Sequence, residues 1–235
     1  MIECNFDTRT ELFDAMAVDA ADLLKSSVDQ VGKSTFVVSG GSSPMPLYDR
    51  LSKAALPWES ISITLADERW VDTDHEASNE KKIRASLLQN NAASASFLGM
   101  KNSSVSPQQG LEACEAQYQQ LPETVALTVL GLGSDGHTAS IFPFAAGLDQ
   151  ALDMTAESLC AAIDALESEV TGSYTARMTM TMRALLNSKH IYLLIMGDDK
   201  RQTLKRAMST TDQVSMPVRA VLQQSKVPVS VYWAP

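Results

Sequence analysis

Near the start of the chain apolar residues recur at helical spacing, at Leu12, Met16, Ala17, Ala20, Leu23 and Leu24. The first thirty residues therefore read as one amphipathic helix that ends near Gly32. The period then changes. Residues 35–38 form a β-branched and aromatic run that stops at Ser39-Gly40-Gly41, as a buried strand entering a glycine turn does. After Pro44, residues 47–51 are helical in pattern, and 61–66 is a second buried strand that gives way abruptly to Asp67-Glu68-Arg69-Trp70. The pattern next predicts helices over about 79–89 and 107–121, a short strand at Phe97-Leu98, and a third clear strand over 125–130. In the second half, 178–182 is a strand or strand end and 191–196 is a strong buried strand stopping at Gly197. Residues 198–208 are a helix with Asp198 as N-cap. Residues 227–232 close the chain as a strand, placed toward a sheet edge because Pro228 cannot donate to a ladder. The stretch 144–175, rich in Ala, Asp, Glu and Ser, has weak periodicity and yields no strand.

Strands alternating with helices predict an α/β fold: a doubly wound, mostly parallel sheet with helices on both faces, in one domain spanning 1–235. In such sheets ligands bind beyond the carboxyl ends of the strands, at the crevice where strand order reverses. Attention therefore falls on the segments just after strands: SGGSSP at 39–44, DERW at 67–70, GLGSDGHTAS at 131–140 and GDDK at 197–200.

Charge narrows the ligand. The 235 residues carry 28 acidic and 19 basic side chains, a formal charge of −9, and the pI is near 4.8. With no basic run there is no surface for a nucleic-acid backbone, so an anionic ligand must be small and locally caged. Cys4, Cys114 and Cys160 are widely separated, which suggests neither a disulfide framework nor a zinc site but reduced thiols. The N-terminus has acids where a secretory signal carries lysine or arginine, and no run approaches a membrane span. A soluble cytoplasmic protein that does not engage membranes is the expectation.

SGGSSP lies between a strand and a helix, with glycines that permit close backbone approach and hydroxyls beside free N–H groups. It is either an outline phosphate cradle over Gly40, Gly41, Ser42 and Ser43 or a plain glycine turn with a serine capping the helix. GLGSDG matches GxGxxG, yet Pro143 interrupts any following helix and no strand with a ribose-binding acid succeeds it, so a dinucleotide site fits poorly. His75 and His190 read as surface or strand-end residues. His137 differs, because it follows Asp135-Gly136 in a glycine-rich loop at a strand's carboxyl end, where imidazole can act as a base at neutral pH. Asp135 is placed to orient that ring or to cap a short following helix. Asp67, Glu68 and Arg69 are either a solvated loop or part of the same site, and Arg177 and Lys200 supply separated positive charges near later strand ends.

These motifs together resemble the 6-phosphogluconolactonase family, within the superfamily that includes glucosamine-6-phosphate deaminase. The resemblance runs from Val37 to about Leu222 and rests on SGGSSP, LADERWVDTDHEASN, GLGSDGHTASIFP, ARMTMT and GDDK in that order. Ser43 stands for the family's usual threonine, Asp72 replaces a proline, and Ala176 sits where proline commonly precedes Arg177. The resemblance implies hydrolysis of 6-phospho-D-glucono-1,5-lactone in the pentose phosphate pathway with no metal or organic cofactor, by a monomer or small homo-oligomer. On that reading the phosphate docks on Gly41, Ser42 and Ser43 with Arg177 and Lys200 as counter-charges. His137 activates water, Arg69 stabilises the carbonyl oxygen and Asp67 positions hydroxyls or the imidazole.

Two other readings share these residues. A deaminase or isomerase of an amino-sugar phosphate resembles the pattern, but its histidine loop carries a glutamate where this chain has Phe142, and a phenyl ring cannot transfer a proton. A non-catalytic sugar-phosphate sensor retains the cradle, but such sensors normally carry a DNA-binding segment, and the first thirty residues here are acidic and form at most one helix.

Overall fold

A computed structural model describes residues 1–235. Its ten strands are β1 (Ile2–Asn5), β2 (Ser34–Val38), β3 (Ile61–Leu65), β4 (Asp67–Arg69), β5 (Ser96–Leu98), β6 (Val125–Gly131), β7 (Cys160–Asp164), β8 (Ala176–Met180), β9 (Ile191–Met196) and β10 (Val229–Ala234). The helices used below are α1 (Arg9–Val31), α2 (Met45–Ser52), α3 (Asn79–Ser86), α4 (Pro107–Tyr118), α5 (Leu148–Leu152), α6 (Met182–Leu185) and α7 (Asp198–Ser209). Seven strands make one sheet in the order β1-β10-β9-β6-β2-β3-β5, and every pairing in it is parallel. From β2 the chain winds outward through β3 and β5, then returns to β6 and winds the other way through β9 and β10. Strand order therefore reverses between β2 and β6, and their carboxyl ends open a crevice. All five residues of β2 are buried, as a strand covered on both faces requires.

Four sequence expectations are corrected. The first thirty residues are not all helix: Ile2–Asn5 is an edge strand, and α1 starts at Arg9 behind a capping box in which Thr8 and Glu11 satisfy each other's main-chain N–H. The final strand is not an edge. β10 lies between β1 and β9, and Pro228 sits just before it, where only its carbonyl is used, accepting from Ile191 N–H at 3.0 Å. Asp198 is not the N-cap of α7; Gly197 holds that place and makes no side-chain cap bond. The stretch 144–175 does contain a buried strand, β7. It is masked in sequence because its partners are tertiary: β8 alongside, and Glu115 of α4, whose carboxylate accepts from the N–H groups of Leu159 and Cys160.

β4, β8 and β7 form a small antiparallel sheet set beyond the main one. Ala66 is the pivot between the two. Its N–H donates to the Val38 carbonyl of the main sheet at 2.9 Å, and its carbonyl accepts from Met180 N–H of the small sheet at 2.8 Å. Residues 67–69 are thus swung over the crevice as a strand, not left as a solvated loop. Cys4, Cys114 and Cys160 form no disulfide, and no helix is long and apolar enough to cross a membrane.

Candidate active site

The crevice is a cleft of about 410 Å³ lined by 23 residues, within the ~300–1,000 Å³ of ordinary small-molecule sites. It brings together the loop after β2 (Gly40, Gly41, Ser43), the small sheet (Asp67, Arg69, Arg177), the loop after β6 (Gly133, His137, Ala139, Phe142) and Lys200 of α7. Ser42 is exposed and does not line it. Asp135 stands behind His137 instead of facing the cavity.

The loop after β2 is not a serine-capped turn. α2 begins without any side-chain cap bond, and the main-chain N–H groups of Gly40, Gly41, Ser42 and Ser43 have no protein acceptor. Donors therefore remain free at the positive end of an uncapped helix. Gly40 is required by close packing: a Cβ there would lie 2.0 Å from Asn79 Oδ1.

After β6 no helix forms until α5, so GLGSDG lacks the helix a dinucleotide site needs, and Asp135 has none to cap. Its Oδ1 instead accepts from the main-chain N–H of His137 at 3.1 Å and lies 2.6 Å from Nδ1. Burial pushes the Asp135 carboxyl up, but the bond to His137 and the imidazole's charge outweigh it and leave the carboxyl below its ordinary range. With Nδ1 held by a carboxylate, Nε2 is the nitrogen left to face a reactant. The ring stacks at a tilt on Phe142, with centroids 4.3 Å apart. A Cβ at position 133 would lie 2.0 Å from His137 Nδ1, so only glycine admits the ring there.

On the small sheet Asp67 and Arg69 share one strand face and Glu68 takes the other. Asp67 accepts from Ser140 Oγ at 2.6 Å, which ties β4 to the histidine loop. Arg69 donates to the Ala77 carbonyl at 3.0 Å and to Asn79 Oδ1. Arg177 lies opposite Arg69 in the β4–β8 register. It is held by the carbonyls of Tyr174 (2.6 Å) and Thr171 (3.1 Å), and its guanidinium lies over Phe142. Burial and the neighbouring Arg69 charge bring its pKa down to about 10, which leaves it cationic at neutral pH. Burial also lowers Lys200, against the opposing pull of Asp135 and Asp199. None of Arg69, Arg177 and Lys200 has a carboxylate within 4.0 Å, so cationic charge faces the cavity uncompensated by an ion pair. No three His, Cys, Asp or Glu side chains converge as a metal site.

Sequence reasoning overlooked several lining residues. Ser39 lines the cleft, and its Oγ is buried without a partner. Asn79 anchors Arg69, and Val170 reaches in from the stretch that yielded no expected strand. Glu68, grouped in the sequence with Asp67 and Arg69, does not line the cleft: it is fully buried and accepts from Arg69 N–H, Ser78 Oγ, Asn79 N–H and Glu80 N–H, fixing the start of α3. Strand alternation across 67–69 is the signal that separates it from its neighbours. Arg9, at the start of α1, also lines the cleft, and nothing local in the sequence points to it.

Comparison with known proteins gives a consistent result. Residues 7–233 match the family model described as glucosamine-6-phosphate isomerases/6-phosphogluconolactonase. A 6-phosphogluconolactonase of Pseudomonas aeruginosa is 36% identical over 220 residues, covering 94% of this chain and 89% of the relative. One from Rhizobium meliloti is 31% identical, covering 98% and 97%. The crystal structure of a 6-phosphogluconolactonase from Shewanella baltica superposes with a TM-score of 0.94 at 40% identity, covering 100% of this chain and 98% of the other.

Proposed function

The chain belongs to the glucosamine-6-phosphate isomerase/6-phosphogluconolactonase family, and from that membership we propose that it hydrolyses 6-phospho-D-glucono-1,5-lactone to 6-phosphogluconate, a step of sugar-phosphate metabolism. The observation that carries this reading is that one cleft holds both an aspartate-oriented imidazole and an anion site of free main-chain N–H groups and unpaired cations. A phosphorylated lactone has the two features those groups address: an ester carbonyl and a dianion.

The phosphate docks on the N–H groups of Gly40, Gly41 and Ser43, with Ser42 supplying its main-chain N–H from the rim and Lys200 and Arg177 as counter-charges. His137 takes a proton from water through Nε2 as the water oxygen bonds to the lactone carbonyl carbon, while Asp135 stabilises the imidazolium that forms. Arg69 meets the oxyanion, and Asp67, held by Ser140, orients the sugar hydroxyls. The tetrahedral intermediate then collapses by breaking the bond to the ring oxygen. The imidazolium returns its proton to that oxygen, and the carboxylic acid product ionises. Phe142 supports hydrolysis over deamination, since a phenyl ring against His137 offers no proton-transfer group.

Acid release from freshly generated 6-phosphogluconolactone, at a pH where spontaneous opening is slow, tests the reading, with unphosphorylated gluconolactone as control. Strong preference for the phosphorylated lactone is expected, and a His137→Ala variant should lose about 10²–10⁴ in kcat. Robust ammonia release from glucosamine 6-phosphate, or an unimpaired variant, would overturn it.

A further inference from the structure

The cleft has a fourth cation that no motif supplies. Arg9 opens α1, and the capping box at Thr8 and Glu11 fixes where that helix begins. The segment before it is pinned to β10, with Phe6 N–H on the Trp233 carbonyl at 3.0 Å and the Phe6 ring stacked on Tyr232. Arg9 Nε then donates to the main-chain oxygen of Pro235, the last residue of the sequence, at 2.8 Å. That bond uses one of five guanidinium N–H donors and leaves the other four without a protein acceptor on a side chain that lines the cleft. No Asp or Glu side chain lies within 4.0 Å of the guanidinium, although the chain carries nine excess negative charges. Arg9 arrives from the β1–β10 side of the main sheet, whereas Arg69 and Arg177 stand on the small sheet.

We propose that Arg9 is a specificity-determining residue that binds the phosphate dianion of the substrate at the cleft mouth, with the Pro235 main-chain oxygen as its positioning group. The inference rests on the cleft being a site for a phosphorylated lactone. Arginine suits the task because its planar fork can hold a main-chain oxygen through Nε while two parallel N–H groups meet phosphate oxygens. Lysine keeps the charge but cannot do both. At an exposed rim, solvent and salt screen the contact, so its effect is moderate.

The test compares wild type, Arg9→Ala and Arg9→Lys on 6-phosphogluconolactone and unphosphorylated gluconolactone, with calorimetric titration of 6-phosphogluconate and a melting curve for each protein. Arg9→Ala should raise KM for the phosphorylated lactone about five- to tenfold, weaken 6-phosphogluconate by a similar factor and reduce discrimination between the two lactones. Arg9→Lys should recover part of the loss. Unchanged KM and unchanged 6-phosphogluconate affinity in a normally folded Arg9→Ala protein would overturn the role, as would equal losses on both lactones. Should wild type fail to hydrolyse the phosphorylated lactone, the functional reading falls, and 6-phosphogluconate affinity still decides the part played by Arg9.

Discussion

Asp135 and His137 are joined twice through one oxygen: Asp135 Oδ1 accepts the main-chain N–H of His137 at 3.1 Å and lies 2.6 Å from its ring Nδ1. Backbone and ring are fixed together, so tautomer and orientation are set before any substrate arrives. Asp135→Asn retains an acceptor but removes the charge that stabilises an imidazolium. We expect kcat to fall about 10²–10³-fold with little change in KM, read by steady-state kinetics at fixed pH. A variant that loses affinity but keeps its turnover would contradict this division of labour.

Lys200 acts on a different parameter. A contact to a phosphate distant from the reacting carbon is present in ground and transition states alike, so Lys200→Ala should raise KM with kcat nearly preserved. Rising salt should narrow the gap between the two proteins. A loss confined to kcat would remove Lys200 from the phosphate site.

Glu68 gives the fold a pH dependence. Burial pushes its carboxyl from 4.5 to about 7, although the N–H groups of Asn79, Glu80 and Arg69 oppose the shift. Because the folded state binds this proton more tightly than the unfolded chain, the linkage costs stability as pH rises from about 4.5 to 7 and nothing further above that. Ser78 Oγ can turn to accept the proton of the acid form, which keeps that form satisfied. In urea titrations from pH 5 to 8, wild type should lose up to about 3 kcal/mol relative to Glu68→Gln. Parallel pH profiles for the two proteins would show that Glu68 stays ionised throughout.

Arg177 is both an anion-facing cation and a structural clasp. Arg177→Ala leaves the carbonyls of Tyr174 and Thr171 without their donor and removes the cation over Phe142. A loss of about 2–4 kcal/mol in unfolding free energy is expected alongside the weaker substrate binding. Denaturation as stable as wild type would mean that the loop 171–174 does not depend on this side chain.

Ser39 should behave in the opposite sense. Its Oγ is buried with no hydrogen-bond partner, and an unsatisfied buried hydroxyl is costly. Ser39→Ala should therefore leave unfolding free energy unchanged or raise it by up to about 1 kcal/mol, as measured by thermal and urea denaturation of the ligand-free protein. A clear destabilisation would show that the hydroxyl has a partner in solution.

The amino-acid sequence by itself determined the central strands of the main sheet and the chemistry-bearing loops. Buried parallel strands such as β2, β3, β6 and β9 are continuous apolar runs ended by glycine or charge, and that signal is local. The residues after them, Gly40 to Ser43 and Asp135 to His137, stand out because their types are unusual at a strand's carboxyl end. What only the tertiary structure decided depends on partners far away in the chain. β1 and β7 are short and lack a decisive pattern of their own, so β10, β8 and the carboxylate of Glu115 determine that they are strands. Pro228 looked like an edge marker because a missing donor matters only inside a ladder, and it lies just outside one. Arg9 enters the site because capping fixes the start of α1 and β10, at the far end of the chain, pins the segment before it. No local pattern encodes such a meeting; it is set by packing, which sequence periodicity does not carry.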